Sequence, residues 1–155
     1  MSLLRAREAV MKNFIPHLRE RDLSPQQWRV LRALLDAQNA GVQGREMTAL
    51  AEDCYLLMPS LSRIVQNLEK RGLVVRKTAE SDQRRSVISI STEGAQLVQD
   101  MAPQSDARYE HITNVFGYGK LELLYELLEE LTDKLNAAEF SADDSLRESG
   151  DDPEK

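Results

Sequence analysis

The chain has 155 residues, of which 41% are hydrophobic and 30% are charged, and its formal net charge is −6. These totals predict one soluble globular domain with enough chain to bury a core. No apolar run approaches the ~20 residues of a membrane-spanning helix, and Arg5, Arg7 and Glu8 interrupt the N-terminus where a signal peptide would be apolar. A single cysteine excludes an internal disulfide bond and favours a reducing, cytoplasmic location.

Charge is distributed unevenly along the chain. Residues 60–90 carry seven basic and three acidic side chains, a net charge of +4, whereas residues 91–138 carry −6 and residues 139–155 carry −5. A basic segment can bind phosphates while distant acidic groups are screened over a Debye length of ~8 Å. The acidic total therefore does not exclude a nucleic-acid partner.

The first part of the chain predicts two helices. Residues 2–20 repeat apolar side chains at intervals of three and four, and Pro16 should bend or end this helix. The second helix covers residues 24–37 and has a clear start. Ser24 is the expected N-cap, a proline takes the first helical position, and Gln27 completes a capping box.

A pair of helices and a hairpin follow. A short helix over residues 48–55, capped by Thr48, precedes a longer helix over residues 59–71 that stops at Gly72. Two short strands rich in β-branched residues come next, joined by a polar connection over residues 78–85.

Elements in this order are typical of a winged helix-turn-helix, here over residues 24–92, within a mainly α fold that has a two-stranded β-wing. The second helix of such a unit enters the major groove of DNA, and the wing reaches a neighbouring groove or the backbone. The order of elements therefore predicts DNA binding.

The C-terminal part predicts two further helices. Thr92 is the expected cap of a long helix that reaches about residue 115 and that an internal proline bends, and a last helix covers residues 120–138. The acidic segment 141–155 is too polar to pack and is predicted to be a disordered tail. It lies outside a single domain over residues 1–140.

The helix over residues 59–71 has two distinct faces. Four apolar side chains lie within about 100° on a helical wheel and are predicted to face the core: Leu61, Ile64, Val65 and Leu68. The opposite face and its borders carry side chains that can hydrogen-bond to base edges or phosphates: Ser60, Ser62, Arg63, Gln66, Asn67 and Lys70. A merely solvated face is the alternative, but the stripe has no acid apart from one flanking glutamate, which favours DNA.

The wing carries its own basic side chains. Arg76, Lys77, Arg84 and Arg85 are predicted to approach the sugar–phosphate backbone. The negative charge of Asp82 does not suit a phosphate contact there. Asp82 can instead pair with Arg84 or Arg85 and stabilise the shape of the loop, while the other arginine points outward. An exposed ion pair without such a role is the alternative, and it would contribute only ~0–1 kcal/mol.

The helix-turn-helix and the wing together resemble the core of the MarR family of transcriptional regulators. The segment that carries the resemblance is MTALAEDCYLLMPSLSRIVQNLEKRGLVVRKTAESDQRRSVISISTEGAQL. With AREAVMKNFIPHLRERDLSPQQWRVLRALLDA before it, the likeness covers about residues 3–135 and is greatest to the homoprotocatechuate-degradation operon repressors of that family. Met58 departs from the family, which often has a Ser or Thr N-cap before the proline, so the start of this helix is expected to be frayed or capped in another way.

The resemblance implies a homodimer built from the terminal helices, residues 2–20 with 95–138. The last helix carries a stripe of seven leucines: Leu121, Leu123, Leu124, Leu127, Leu128, Leu131 and Leu135. This stripe suits either a dimer surface or an internal core, and the resemblance favours the dimer surface. A two-fold dimer presents two recognition helices about one DNA turn apart, which predicts an imperfectly palindromic operator.

A cleft for a small aromatic acid is also implied by the resemblance. Arg7, His17 and Arg29 are predicted to supply positive charge to its carboxylate, and Phe14 and Trp28 to supply apolar walls. For Trp28, packing in the core is the alternative. The implied function is repression of an operon for aromatic-compound catabolism, relieved when a phenolic or aromatic acid binds.

Two other functions stay open as alternatives. Cys54 as a thiol-based redox sensor is one, although a small buried residue is the favoured interpretation. A winged helix used only for protein contacts is the other, which the positive charge of residues 60–90 disfavours. His17 and His111 lack partners at metal-ligand spacing, and no catalytic arrangement or glycine-rich phosphate loop stands out, so no metal, cofactor or enzymatic activity is expected.

Overall fold

The computed structural model describes the backbone of residues 1–79 and 82–148, and within these ranges all side chains except those of residues 78–85 and 139–148. The described residues form α1 (Ser2–Arg19), α2 (Pro25–Asn39), β1 (Arg45–Glu46), α3 (Met47–Asp53), α4 (Met58–Lys70), β2 (Val74–Ala79), β3 (Asp82–Ile90), α5 (Thr92–Phe116) and α6 (Tyr118–Glu148). They divide into two compact units, Met1–Arg108 and the segment from Tyr109 onward. Within the described ranges, no helix has both the length and the apolar character needed to cross a membrane.

The first two helices form as predicted. α1 ends at Arg19, within one turn of Pro16, whose ring nitrogen has no hydrogen to donate to the helix. α2 starts with the predicted capping box: the backbone N–H of Gln27 donates to Ser24 Oγ at 3.1 Å, and the backbone N–H of Ser24 donates to Gln27 Oε1 at 2.7 Å. The box satisfies two backbone donors that the first turn of a helix would otherwise leave without a partner.

The helix-turn-helix consists of α3 and α4, and both helices start differently from the prediction. The prediction of Thr48 as a cap is wrong. Glu46 takes the N-cap position because pairing in β1 holds it extended directly before Met47. α4 begins at Met58 with Leu57 as its N-cap, and no side chain of this described segment caps it. Met58 does not cap α4, as expected from the sequence; it is the first helical residue, and the N-cap position lies one residue earlier than predicted.

Three antiparallel strands form one sheet in the order β1-β3-β2. The long pair is β2 with β3, where Arg76 lies opposite Ile88, and β1 adds Arg45 on the other side of the same residue. The sequence does not predict β1 because two residues are too few to show an alternating pattern. Arg45 also donates from Nε to Asp53 Oδ2 at 2.8 Å, which ties the short strand to the end of α3.

The predicted polar connection over residues 78–85 is wrong. β2 continues to Ala79 and β3 already begins at Asp82, so Arg84 and Arg85 belong to a strand. Backbone groups form the ladder, so polar residues can extend a hairpin without the alternation of apolar side chains that predicts a strand. The register shifts next to Ala79, at the end of the regular pairing.

Ser91, not Thr92, caps α5. The backbone N–H of Gly94 donates to Ser91 Oγ at 2.9 Å, and the same hydroxyl donates to the carbonyl oxygen of Gly72 at 2.7 Å. The Ser91 side chain therefore hydrogen-bonds both to the first turn of α5 and to the turn that follows α4. Gly72 has φ +72°, a left-handed conformation that suits glycine and ends α4 as predicted.

α6 belongs to the second unit. It runs from Tyr118 to Glu148, past the predicted end at residue 138 and into the segment predicted to be a tail, while residues 149–155 lie outside the described residues. Large apolar side chains of this unit are exposed in the single chain: Val115, Phe116, Tyr118, Leu123, Leu124, Tyr125, Leu127, Leu131 and Leu135.

The first unit holds the buried core. Its most deeply buried apolar side chains come from five helices and one strand: Leu18, Val30, Leu31, Leu50, Leu61, Val65, Leu68, Ile88 and Met101. In α4, Leu61, Val65 and Leu68 are buried and Ile64 is half-buried, which confirms the predicted apolar face. The opposite face of α4 is thereby turned to solvent.

Replacing Gly94 with alanine is expected to destabilise the fold. A Cβ atom at Gly94 would lie 2.1 Å from the carbonyl oxygen of Leu73 and 3.0 Å from Ile90 Cγ1, so backbone must shift. We expect Gly94→Ala to lower the free energy of unfolding by about 1–3 kcal/mol in urea denaturation. Gly119→Ala is the matched control, because a Cβ atom there meets nothing within 4 Å. This variant should leave the free energy of unfolding unchanged or raise it by up to about 1 kcal/mol. Unchanged stability of Gly94→Ala would contradict the close approach.

Candidate nucleic-acid interface

The outer face of α4 carries the predicted DNA contacts. All six side chains are exposed: Ser60, Ser62, Arg63, Gln66, Asn67 and Lys70. Among the described residues, neither Arg63 nor Lys70 forms an ion pair with an acidic side chain. The face can therefore offer two cations and several hydrogen-bonding groups to a polyanion.

Asn67, one of these six residues, is already engaged in a contact between helices. Its Oδ1 accepts a hydrogen bond from Gln27 Nε2 at 2.8 Å, which joins α4 to the first turn of α2. Near the end of the same helix, Arg71 donates from Nη1 to the carbonyl of Asp22 at 2.7 Å and from Nη2 to the carbonyl of Arg21 at 3.0 Å. These three contacts hold the orientation of α4 against α2 and the turn before it. Sequence reasoning missed them because they join residues 40 to 50 positions apart.

Arg76 and Lys77 lie exposed on β2. The guanidinium of Arg76 donates to Ser86 Oγ from Nε at 3.1 Å and from Nη2 at 2.9 Å, a cross-strand contact within the wing. Arg76 therefore supports the hairpin while it remains accessible to solvent. The side chains of Asp82, Arg84 and Arg85 lie outside the described residues, so their predicted roles stay predictions.

Two of the predicted effector contacts lie in a buried cluster between α1 and α5. Phe14 and His17 are buried, their ring centroids 6.1 Å apart, and His17 Nε2 lies 3.3 Å from Ser105 Oγ. Arg108 borders this cluster and donates from Nε to the carbonyl of Asn13 at 2.7 Å. Burial, and next to it the positive charge of Arg108, lower the pKa of His17 below 6.5. His17 is thus held neutral inside the unit.

The other predicted effector contacts are distributed over the surface of α1 and one side of α2. Arg7 is exposed and hydrogen-bonds to Glu8 at 2.7 Å. Arg29 is half-buried, and its Nη1 donates to the carbonyl of Cys54 at 2.8 Å, where α3 ends. Trp28 is half-buried and has a different arginine beside it.

That arginine is Arg32, which sequence reasoning missed. Its guanidinium carbon lies 6.0 Å from the centroid of the Trp28 ring, within the range of a cation–π contact. The four-residue spacing of Trp28 and Arg32 could have predicted this contact, since residues four apart on a helix are neighbours on its surface. An apolar ring and a cation held together in this way match the two needs of an aromatic carboxylate.

Cys54 is fully buried at the end of α3. Burial raises the pKa of its thiol above 9.0, against the opposing effect of the Arg29 charge. Reactive cysteines have a lowered pKa and are accessible, so the environment of Cys54 disfavours a thiol sensor. No group of three or more potential metal ligands occurs within the described residues.

The arrangement of α2 to α4 with the β2–β3 wing is that of a winged helix-turn-helix regulator. The sequence pattern of the MarR family matches residues 21–85. The chain is 39% identical over 140 residues to the HTH-type transcriptional regulator FarR of Neisseria gonorrhoeae, covering 88% of this chain and 92% of that protein. It is 35% identical over 130 residues to the homoprotocatechuate degradative operon repressor of Escherichia coli, covering 84% of each. The chain belongs to the MarR family of transcriptional regulators.

Solved structures agree with this assignment. NadR in complex with 4-hydroxyphenylacetate superposes with a TM-score of 0.69 at 39% identity, covering 84% of this chain and 89% of that chain. The transcriptional repressor CouR bound to a 23-mer DNA duplex superposes with a TM-score of 0.74 at 25% identity, with the same coverage of 84% and 89%. The predicted fold class and family are confirmed.

Acid is expected to destabilise the protein through His17. Because its pKa is lowered in the folded state, the unfolded chain binds a proton more readily, so the stabilisation is complete above pH 6.5 and is lost as the pH falls below it. The loss cannot exceed about 1.4 kcal/mol per pH unit for one proton. His17→Leu should flatten the dependence of the unfolding free energy on pH in this range, measured by urea denaturation.

The matched control is His111→Gln, because His111 is exposed. This variant should keep the wild-type dependence on pH. Identical pH profiles for wild type and His17→Leu would contradict a buried neutral imidazole at this position.

Proposed function

We propose that the protein is a homodimeric repressor that binds a palindromic operator and leaves it when a small aromatic acid binds. The observation that carries the proposal is the exposed face of α4, which bears cations and hydrogen-bonding groups and is held in place by Gln27 and Arg71. The likeness to a repressor bound to duplex DNA and to a regulator bound to 4-hydroxyphenylacetate supports the two halves of the proposal.

Dimerisation is supported by the exposed apolar side chains. Leu3, Leu4 and Val10 on α1 are 61%, 54% and 41% exposed. Five leucines of the predicted stripe on α6 are 37–55% exposed, whereas Leu121 and Leu128 are half-buried. Exposed apolar patches on a protein surface mark sites of association. A two-fold dimer repeats α4 about 34 Å away, one turn of DNA, so the operator should carry two related half-sites.

The effector site is proposed around α2, with Trp28 as an apolar wall. Of the two predicted arginines and Arg32, Arg32 suits the carboxylate best, because Arg29 already bonds to the carbonyl of Cys54 and Arg7 pairs with Glu8. Phe14 and His17 remain proposed contacts, and a ligand that reaches them would have to open the buried cluster that they form.

The proposal includes a cytoplasmic location and no enzymatic activity. The family and the relatives are transcriptional regulators, which act by occupying DNA. We favour effector control over thiol sensing because the Cys54 thiol is buried and its pKa is raised.

DNA binding should depend steeply on salt. If the two copies of α4 and the wing make 6–10 phosphate contacts, the logarithm of the binding constant should fall with the logarithm of salt concentration at a slope of about −5 to −9. Lys70→Ala should weaken binding to all duplexes and make the slope less steep by about 2, one unit for each copy. Gln66→Ala should in addition relax the base preference found by selection from a random pool.

Lys134→Ala is the control for charge alone. Lys134 lies on α6, exposed and paired with Glu130 at 2.5 Å, so its loss should leave the slope unchanged. Absence of binding to any duplex at low salt, or a slope near zero, would refute the DNA-binding proposal.

Release by an aromatic acid should depend on Arg32. We expect 4-hydroxyphenylacetate or 3,4-dihydroxyphenylacetate to release the operator, and Arg32→Ala to raise the required concentration by about 10-fold or more, because a charged hydrogen bond is lost. Arg29→Ala should have a smaller effect, together with reduced stability, and Arg7→Ala the smallest.

The measurement is a titration of the protein–operator complex with the acid, alongside calorimetry without DNA. All three variants should keep the operator affinity of the parent in the absence of the acid. If calorimetry detects no binding of any aromatic acid at millimolar concentration, the effector proposal fails while the DNA-binding proposal stands.

A further inference from the structure

Three neighbouring apolar side chains lie exposed where the recognition helix begins. Tyr55 is 83% exposed, Leu57 is 78% exposed and Met58 is 43% exposed, although apolar side chains of this size are usually buried. We call these three residues the apolar ledge. Leu57 is the N-cap of α4 and Met58 is its first residue, so the ledge is part of the helix-turn-helix itself.

The turn that presents the ledge is ordered by backbone hydrogen bonds. The N–H of Tyr55 donates to the carbonyl of Glu52 at 3.0 Å, and the N–H of Leu56 donates to the carbonyl of Ala51 at 2.9 Å. Tyr55 has φ +50°, a left-handed conformation that a large side chain rarely adopts. The exposure of the ledge therefore comes from a defined turn that costs conformational energy.

A shallow hollow of about 450 Å³ lies beside the ledge. Besides the ledge, it is lined by Leu56, Ala51, Thr48 and Glu52. Its surroundings are poorly suited to a phosphate, since they contain a carboxylate and no cation among the described lining residues. An uncharged apolar group suits the hollow better.

The ledge adjoins the candidate DNA interface on α4, and this position indicates which apolar group the ledge contacts. Ser60 and Ser62 follow the ledge within the first turns of α4, and both are exposed. In helix-turn-helix proteins, the N-terminal residues of the recognition helix contact base edges in the major groove. The apolar group displayed in that groove is the 5-methyl group of thymine.

We propose that the apolar ledge reads thymine methyl groups in the operator, with Leu57 and Met58 as specificity-determining residues. The inference rests on the proposed DNA binding and adds to it the recognition of one base. A stable protein partner is a poorer occupant, because three side chains fall far short of the ~800 Å² per partner of a standard protein interface.

The experiment replaces thymine by deoxyuridine, which lacks only the methyl group, at one operator position at a time. Burial of one methyl group contributes about 0.8 kcal/mol, so deoxyuridine should weaken binding about 4-fold at the positions that the ledge reads. Leu57→Ala or Met58→Ala should abolish this loss at those positions and bind the thymine and deoxyuridine operators equally. Both side chains are exposed, so neither variant removes a core contact.

Gln66→Ala is the matched control, because Gln66 is an exposed side chain of the same helix and lies outside the ledge. It should bind more weakly and still show the 4-fold loss with deoxyuridine. Equal binding of all deoxyuridine operators by the wild-type protein, or an unchanged loss in both ledge variants, would overturn the inference.

The outcomes separate the two proposals. A protein that binds its operator tightly but ignores deoxyuridine refutes only the reading of thymine methyl groups. A protein that binds no duplex at low salt refutes DNA binding and the inference together. If deoxyuridine has no effect but Leu57→Ala changes the sedimentation behaviour of the protein, the ledge is a protein contact and the inference is wrong.

Discussion

The position of α4 relative to α2 is the constraint on which the proposed DNA-binding surface depends. Gln27 uses one end of its amide to close the capping box of α2 and the other end to hold Asn67 of α4. A single exposed hydrogen bond contributes only about 0.5–1.5 kcal/mol, so these contacts set orientation more than stability. Stability comes from the buried side of α4, where Leu61 and Leu68 are wholly enclosed.

The same constraint connects the proposed effector site with the proposed DNA surface. Gln27 and Trp28 lie in the first turn of α2 and Arg32 lies in the next turn, so a ligand bound by Trp28 and Arg32 would act on the helix that carries Gln27. Packed helices move as rigid bodies, and small shifts at one end are passed along their length. A change in the orientation of α2 would therefore reach α4 through side chains already in contact.

Features set by nearby residues could be predicted from the sequence, and those set by distant partners could not. The capping box of α2 and the apolar face of α4 depend on spacings of three and four residues, and both predictions hold. β1, the extension of β3 and the hydrogen bond from Ser91 to the carbonyl of Gly72 depend on strands or turns brought together by folding. In the candidate site, the exposed face of α4 followed from periodicity, whereas the engagement of Asn67 depended on Gln27, 40 residues away.

The contact between Arg29 and residue 54 has an evolutionary consequence. The guanidinium reaches the backbone carbonyl of Cys54, a group that every amino acid possesses, and leaves the thiol to simple burial. Position 54 can therefore drift among small side chains without disturbing the contact, whereas position 29 must keep a long donor. Related sequences should thus show no covariation between these two positions, even though they touch.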